Sequence, residues 1–139
     1  MNVYTDIINS MKGDTVNTVI EYMYRDAYNY KQHGDVVVAG HDDDLIGRLV
    51  ASLDEGENFL PEEVGLPNLR DGGWDTHHDD ADHVWHEYVV AERTGRAPTD
   101  PRPLAELVAV FEAAAAAGWP MGAALAALEG FVASTPEGW

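Results

Sequence analysis

The stretch TVNTVIEYMYR (residues 15–25) decides the fold. β-Branched and aromatic types alternate along it, so Val16, Thr18, Ile20, Tyr22 and Tyr24 fall on one face of an extended chain. Asp26-Ala27 supplies turn chemistry, and Tyr28 to Ala39 reads as a returning strand that ends in the apolar run Val36-Val37-Val38. A β-hairpin over about 15–39 follows, with His33-Gly34-Asp35 as a point where its second strand is open to a break.

Working outward, HDDDLIGRLVASLDEG (41–56) switches to a helical period, with Leu45, Ile46, Leu49, Val50 and Leu53 on one stripe. Asp42 or Asp43 suits the N-cap, acidic residues suit the positive end of the dipole, and Gly56 suits the stop, which predicts a helix over about 42–55. Residues 57–83, punctuated by Pro61, Gly65, Pro67 and Gly72-Gly73, read as a long irregular loop. Another strand is expected at about 84–92, and a weak helix at 2–11 on Val3, Ile7, Ile8 and Met11.

After a linker carrying Pro98, Pro101 and Pro103, two alanine-rich helices are expected at about 103–117 and 120–133, joined through Gly118, Trp119 and Pro120. The expected class is α+β: a small antiparallel sheet, one helix on it, and a C-terminal helical hairpin. With 139 residues the chain reads as one domain, an α+β core over 1–97 with a helical extension over 98–139.

Composition narrows the functions. There are no cysteines, which removes disulfides, thiolate metal sites and cysteine nucleophiles. The opening MNVYTDIINSMKGD lacks the basic region and apolar run of a secretory signal, and no stretch is apolar for long enough to span a bilayer, so a cytoplasmic location is expected. Twenty-five acidic residues against eight basic ones give a net charge of −17, which repels phosphates and anionic lipid and argues against direct nucleic-acid or membrane binding. Such a charge serves solubility, a partner with a basic surface, or a divalent cation held by carboxylates.

The densest chemistry lies in DTHHDDADHVWHEY (75–88). Imidazole and carboxylate hold a divalent metal ion when thiolates are absent, which makes His77, His78, Asp80, Asp82, His83 and His86 the candidate ligands and Glu87 the candidate general base. The pattern is neither HExxH nor an EF-hand loop, and a straight strand would point His86 and Glu87 to opposite faces. Asp42, Asp43, Asp44, Glu62 and Glu63 are the candidate interaction residues. Tyr22, Tyr24, Tyr28 and Tyr30 form an aromatic row whose expected use, in an acidic setting, is cross-strand packing. P-loop, GxGxxG and GxSxG patterns do not occur.

Three segments, YRDAYNYK (24–31), FLPEEVGLP (59–67) and DHVWHEY (82–88), resemble a family of small uncharacterised bacterial proteins with YRDAxNYK, FxxExVGLP and WHE segments. The resemblance covers residues 20–92 and brings no activity with it. It implies that the hairpin, the helix and the Trp85-His86-Glu87 strand form one unit, with Arg25, Asp26, Asn29 and Lys31 placed to pair with Glu62, Glu63 or Glu87.

The leading expectation is an acidic regulatory or protein-interaction module without catalysis, binding a protein with a basic surface. Two alternatives stand beside it: a metal-dependent hydrolase built on residues 75–87, and a DNA mimic that blocks a nucleic-acid-binding protein. The weakly charged C-terminal helices offer a homodimer contact.

Overall fold

The computed structural model describes residues 16–26, 29–71 and 83–126. Its frame is a four-stranded antiparallel sheet in the order β2-β1-β4-β3, made of β1 (Asn17–Arg25), β2 (Lys31–Ala39), β3 (Asn58–Phe59) and β4 (His86–Thr94). Three helices accompany it: α1 (Asp43–Ser52), the single turn α2 (Pro61–Val64) and α3 (Leu104–Ala116). A 3-10 turn spans Leu69–Asp71. The α+β class is therefore as expected.

The alternation in β1 sets the layers. Thr18, Ile20, Tyr22 and Tyr24 are buried, and Ile20 faces Val36 and Thr18 faces Val38 across the hairpin. Leu49 from α1 and Leu53 just past its end cover this inner face together with Leu104, Leu107, Val108 and Phe111 from α3. Each such side chain contributes up to about 1.5–3 kcal/mol on burial. An aromatic chain runs through the core: Tyr22 meets Phe59 edge-on at 5.4 Å, Phe59 meets Phe111 at 5.3 Å, and Phe111 meets Trp119 at 6.0 Å. The core crosses the expected boundary at 97–98, so α3 is an integral layer of the domain.

Several boundaries move. The segment 57–83 is not one irregular loop, because it contains β3, α2 and the 3-10 turn. Period-based reading misses elements of two to four residues, which exist only through their tertiary partners. Strand β4 begins at His86, two residues later than expected, and β2 begins at Lys31. Helix α1 stops at Ser52; Gly56, with φ 78°, belongs to the turn that follows. Asp42 is its N-cap, its Oδ1 accepting the N–H groups of Asp44 and Leu45. The expected helix at 2–11 lies outside the described residues, as does the expected 120–133 helix beyond 126, its described part being helical at 122–126.

Two details fix how the layers meet. Gly34 sits opposite Tyr22 in β2, and a Cβ there would come within 2.7 Å of Leu69 Cδ2; its bare backbone admits the 3-10 turn onto the sheet. At the outer edge of β2, the Val37 N–H donates to Thr99 Oγ1 and the Val37 carbonyl accepts from the Thr99 and Asp100 N–H groups. The linker thereby satisfies part of a sheet edge that would otherwise offer itself for pairing.

Candidate functional site

A buried polar cluster lies where the start of β4 meets the segment 60–71. His86 has no solvent exposure, being enclosed by Tyr22, Tyr24 and Phe59, with ring centroids 5.2–6.2 Å away. Its Nε2 accepts the Leu69 N–H at 3.0 Å, so the neutral ring carries its proton on Nδ1. The His86 pKa is lowered to about 3, chiefly by burial and next by the nearby charge of Arg70, with a smaller lowering from His83 and the Val84 carbonyl acting the other way. This histidine is a neutral core residue at any ordinary pH.

Arg70 is almost as deeply placed, with its side chain 1% exposed. Its Nη1 donates to the carbonyls of His83 and Val84 at 3.2 and 3.3 Å, and its Nη2 donates to Glu62 Oε2 at 2.9 Å. The same carboxylate oxygen accepts from Asn68 Nδ2 at 2.6 Å. Arg70 thus ties α2, the 3-10 turn and the entry to β4 into one unit. Glu62 Oε1, Arg70 Nε and His86 Nδ1 are buried without a hydrogen-bond partner in the protein. Such a cluster is a sensitive point of the fold, since an unmatched buried polar atom costs about 1–3 kcal/mol.

His83 closes the other side of Tyr24, ring to ring at 5.1 Å. Its Nε2–H donates to the Arg25 carbonyl at 2.6 Å, and its Nδ1 accepts the Trp85 N–H at 3.1 Å. The His83 N–H donates to the Tyr24 hydroxyl at 3.1 Å, and the Tyr22 hydroxyl donates to the Pro67 carbonyl at 2.8 Å. Burial raises the Tyr22 pKa, with the charge of Asp35 adding to the shift. Both nitrogens of His83 and the Nε2 of His86 therefore hold backbone in place.

On the opposite face of the sheet, Glu87 meets Arg25: Nε to Oε2 at 3.0 Å and Nη2 to Oε1 at 3.5 Å, while Arg25 Nη1 donates to Asn29 Oδ1 at 2.7 Å. His86 and Glu87 do point to opposite faces. Glu62, expected on an interaction surface, is instead held inside by Arg70, and Glu63 is half-buried. Asp42, Asp43 and Asp44 stand exposed at the start of α1. Among the described residues no group of three His, Asp or Glu side chains is placed to hold a metal ion; His77, His78, Asp80 and Asp82 lie outside the described residues. No helix among the described residues is long and apolar enough to cross a membrane.

Comparison of the chain with protein family models, with curated proteins and with solved structures finds no match. The chemistry is accordingly argued from the geometry alone. Sequence reading missed Arg70, which sits in a stretch without periodicity; its one signal is that it is a lone cation between Pro67 and Gly72 in an acidic chain. Its partner Glu62 gave no cue, because adjacent Glu62 and Glu63 look alike until the fold buries one of them.

Proposed function

We propose that the protein is an acidic interaction module that binds a partner protein carrying a basic surface and performs no chemistry of its own. The observation that supports this is how the basic residues are used. Arg25, Arg48, Arg70, Arg96 and Arg102 are each paired within the chain, to Glu87, Glu112, Glu62, Asp35 and Asp100 respectively. Among the described residues no lysine or arginine pairs with Asp42, Asp43, Asp44, Glu55 or Glu57, all exposed. Lys31 and Arg93 make no ion pair among the described residues, but the excess of carboxylates still leaves a negative charge facing water, which favours fast, salt-sensitive association with a cationic surface. His83 and His86, from the motif richest in potential metal ligands, hold backbone groups in place.

The test is affinity capture from the source's own extract at low salt, followed by binding titrations of the captured protein against salt. Replacing Asp43, Asp44, Glu55 and Glu57 by their amides is expected to weaken binding about tenfold or more and to flatten the salt dependence. A partner whose affinity is indifferent to these four changes, or no partner at low salt, overturns the proposal. A stoichiometric metal content in untagged protein would favour the hydrolase reading instead.

A further inference from the structure

The joint between the sheet and α1 contains a second histidine network, separate from the His86 cluster. Thr18 on β1 is fully buried, and its Oγ1 lies 2.6 Å from the Gly40 carbonyl and 2.9 Å from His41 Nδ1. On the far side of the same ring, His41 Nε2 lies 3.0 Å from Asp43 Oδ1. The His41 side chain is 4% exposed, whereas that of Asp43 is 86% exposed. The order hydroxyl, imidazole, carboxylate is that of a nucleophile relay, but Thr18 is beyond the reach of any substrate, so the network is a mechanical one.

Counting protons shows what it does. Thr18 has one hydroxyl proton, and the 2.6 Å contact between two oxygens requires that proton to lie between them, on the way to the Gly40 carbonyl. Thr18 Oγ1 then faces His41 as an acceptor, so Nδ1 must donate. The Asp43 carboxylate can only accept, so Nε2 must donate as well. A ring that donates from both nitrogens is an imidazolium. We infer that His41 is a proton-operated latch: protonated, it ties β1, the Gly40 turn and the first turn of α1 together; neutral, it must release either Thr18 or Asp43.

The surroundings are consistent with that role. Asp43 meets the ring from the α1 side, while Asp42 caps the helix and Asp44 is exposed in its first turn. From the sheet, Arg93 of β4 pairs in register with Thr18 and is exposed. Asp100, in the linker along β2, is held by Arg102. Asn17 fixes the same corner, its Oδ1 accepting the Gly40 N–H at 3.4 Å and its Nδ2 donating to the Arg96 carbonyl at 2.8 Å. Deprotonation therefore acts on the joint through which β1 and the Gly40 turn meet the first turn of α1. The inference does not depend on whether those aspartates bind a partner.

Two measurements on the full chain test it. Long-range nitrogen–proton spectra of the His41 ring, recorded from mildly acidic to mildly alkaline pH, should show both nitrogens protonated at the acid end and one released at the other. Amide exchange at Leu45 and Ile46, taken as the ratio of wild type to His41→Gln at each pH, should change about fivefold or more over the same range. Thr18→Val, which keeps the ring and removes the two hydroxyl bonds to Gly40 and His41, should abolish most of that change and serves if His41→Gln does not fold. A ring that stays singly protonated throughout, or an exchange ratio flat with pH, overturns the inference.

Discussion

Acidification should destabilise this protein through His86, and the size of the effect follows from its burial. In the folded chain the His86 pKa is lowered to about 3, against about 6.5 when the chain unfolds. Between those values the unfolded state binds a proton that the folded state refuses, so stability rises with pH across the window and falls as pH drops. Above about pH 6.5 neither state is protonated and there is no penalty. Going from about pH 7.5 to about pH 5.5, the linkage amounts to about 1.4 kcal/mol, or a few degrees in Tm for a domain of this size. The exposed carboxylates work in the opposite sense, because neutralising them relieves repulsion in a chain of net charge −17. The comparison must therefore be a difference. Urea denaturation of wild type and His86→Gln at both pH values is the assay. The amide oxygen of glutamine can accept the Leu69 N–H but does not titrate. The gap between the two proteins should shift by about 1.4 kcal/mol in favour of the variant on acidification. A gap that moves by less than about 0.3 kcal/mol would mean that His86 is hydrated or mobile in solution, and would refute the argument.

Three further outcomes follow from the same contacts. Arg70→Met should cost about 3–5 kcal/mol in urea unfolding because it strands the Glu62 carboxylate inside, and adding Glu62→Leu should recover most of that loss. If the double variant is no better than the single one, Glu62 is solvated and the cluster is misread. Arg102 donates to the Val64 and Gly65 carbonyls at 2.7 and 3.2 Å at the end of α2, so Arg102→Ala should lower stability by about 1–2 kcal/mol and speed amide exchange at Leu66. Trp119→Phe keeps the contact with Phe111 but loses the indole bond to the Ser52 carbonyl at 2.9 Å; calorimetry should show a loss of about 1–2 kcal/mol.

How much was legible beforehand differs between the layers and the cluster. Alternation in 15–25 places Thr18, Ile20, Tyr22 and Tyr24 inside, and the stripe in 41–56 orients α1, because each pattern repeats over enough residues to report its own period. Turn chemistry was readable too, as at Asp42 and at Gly118, where the chain turns with φ 79° after α3. The segment 57–71 was not readable. Its two strand residues and its single helical turn have no period, and they exist because Asn58 and Phe59 pair with Glu87 and His86 and because Arg70 binds Glu62.

By itself, then, the sequence determined the class of fold, the faces of its long elements and the acidity of its surface, all of which depend on local spacing and summed charge. Tertiary structure decided what the histidines and acids are for. His83 and His86 sit in a motif rich in potential metal ligands, yet packing against Tyr24 turns both toward backbone groups. Glu62 and Glu63 are neighbours in the chain, and the docking of one turn onto the sheet sends the first inward to Arg70. The physical reason is that a side chain's chemistry depends on its dielectric and its partners, and those are contributed by residues distant in sequence.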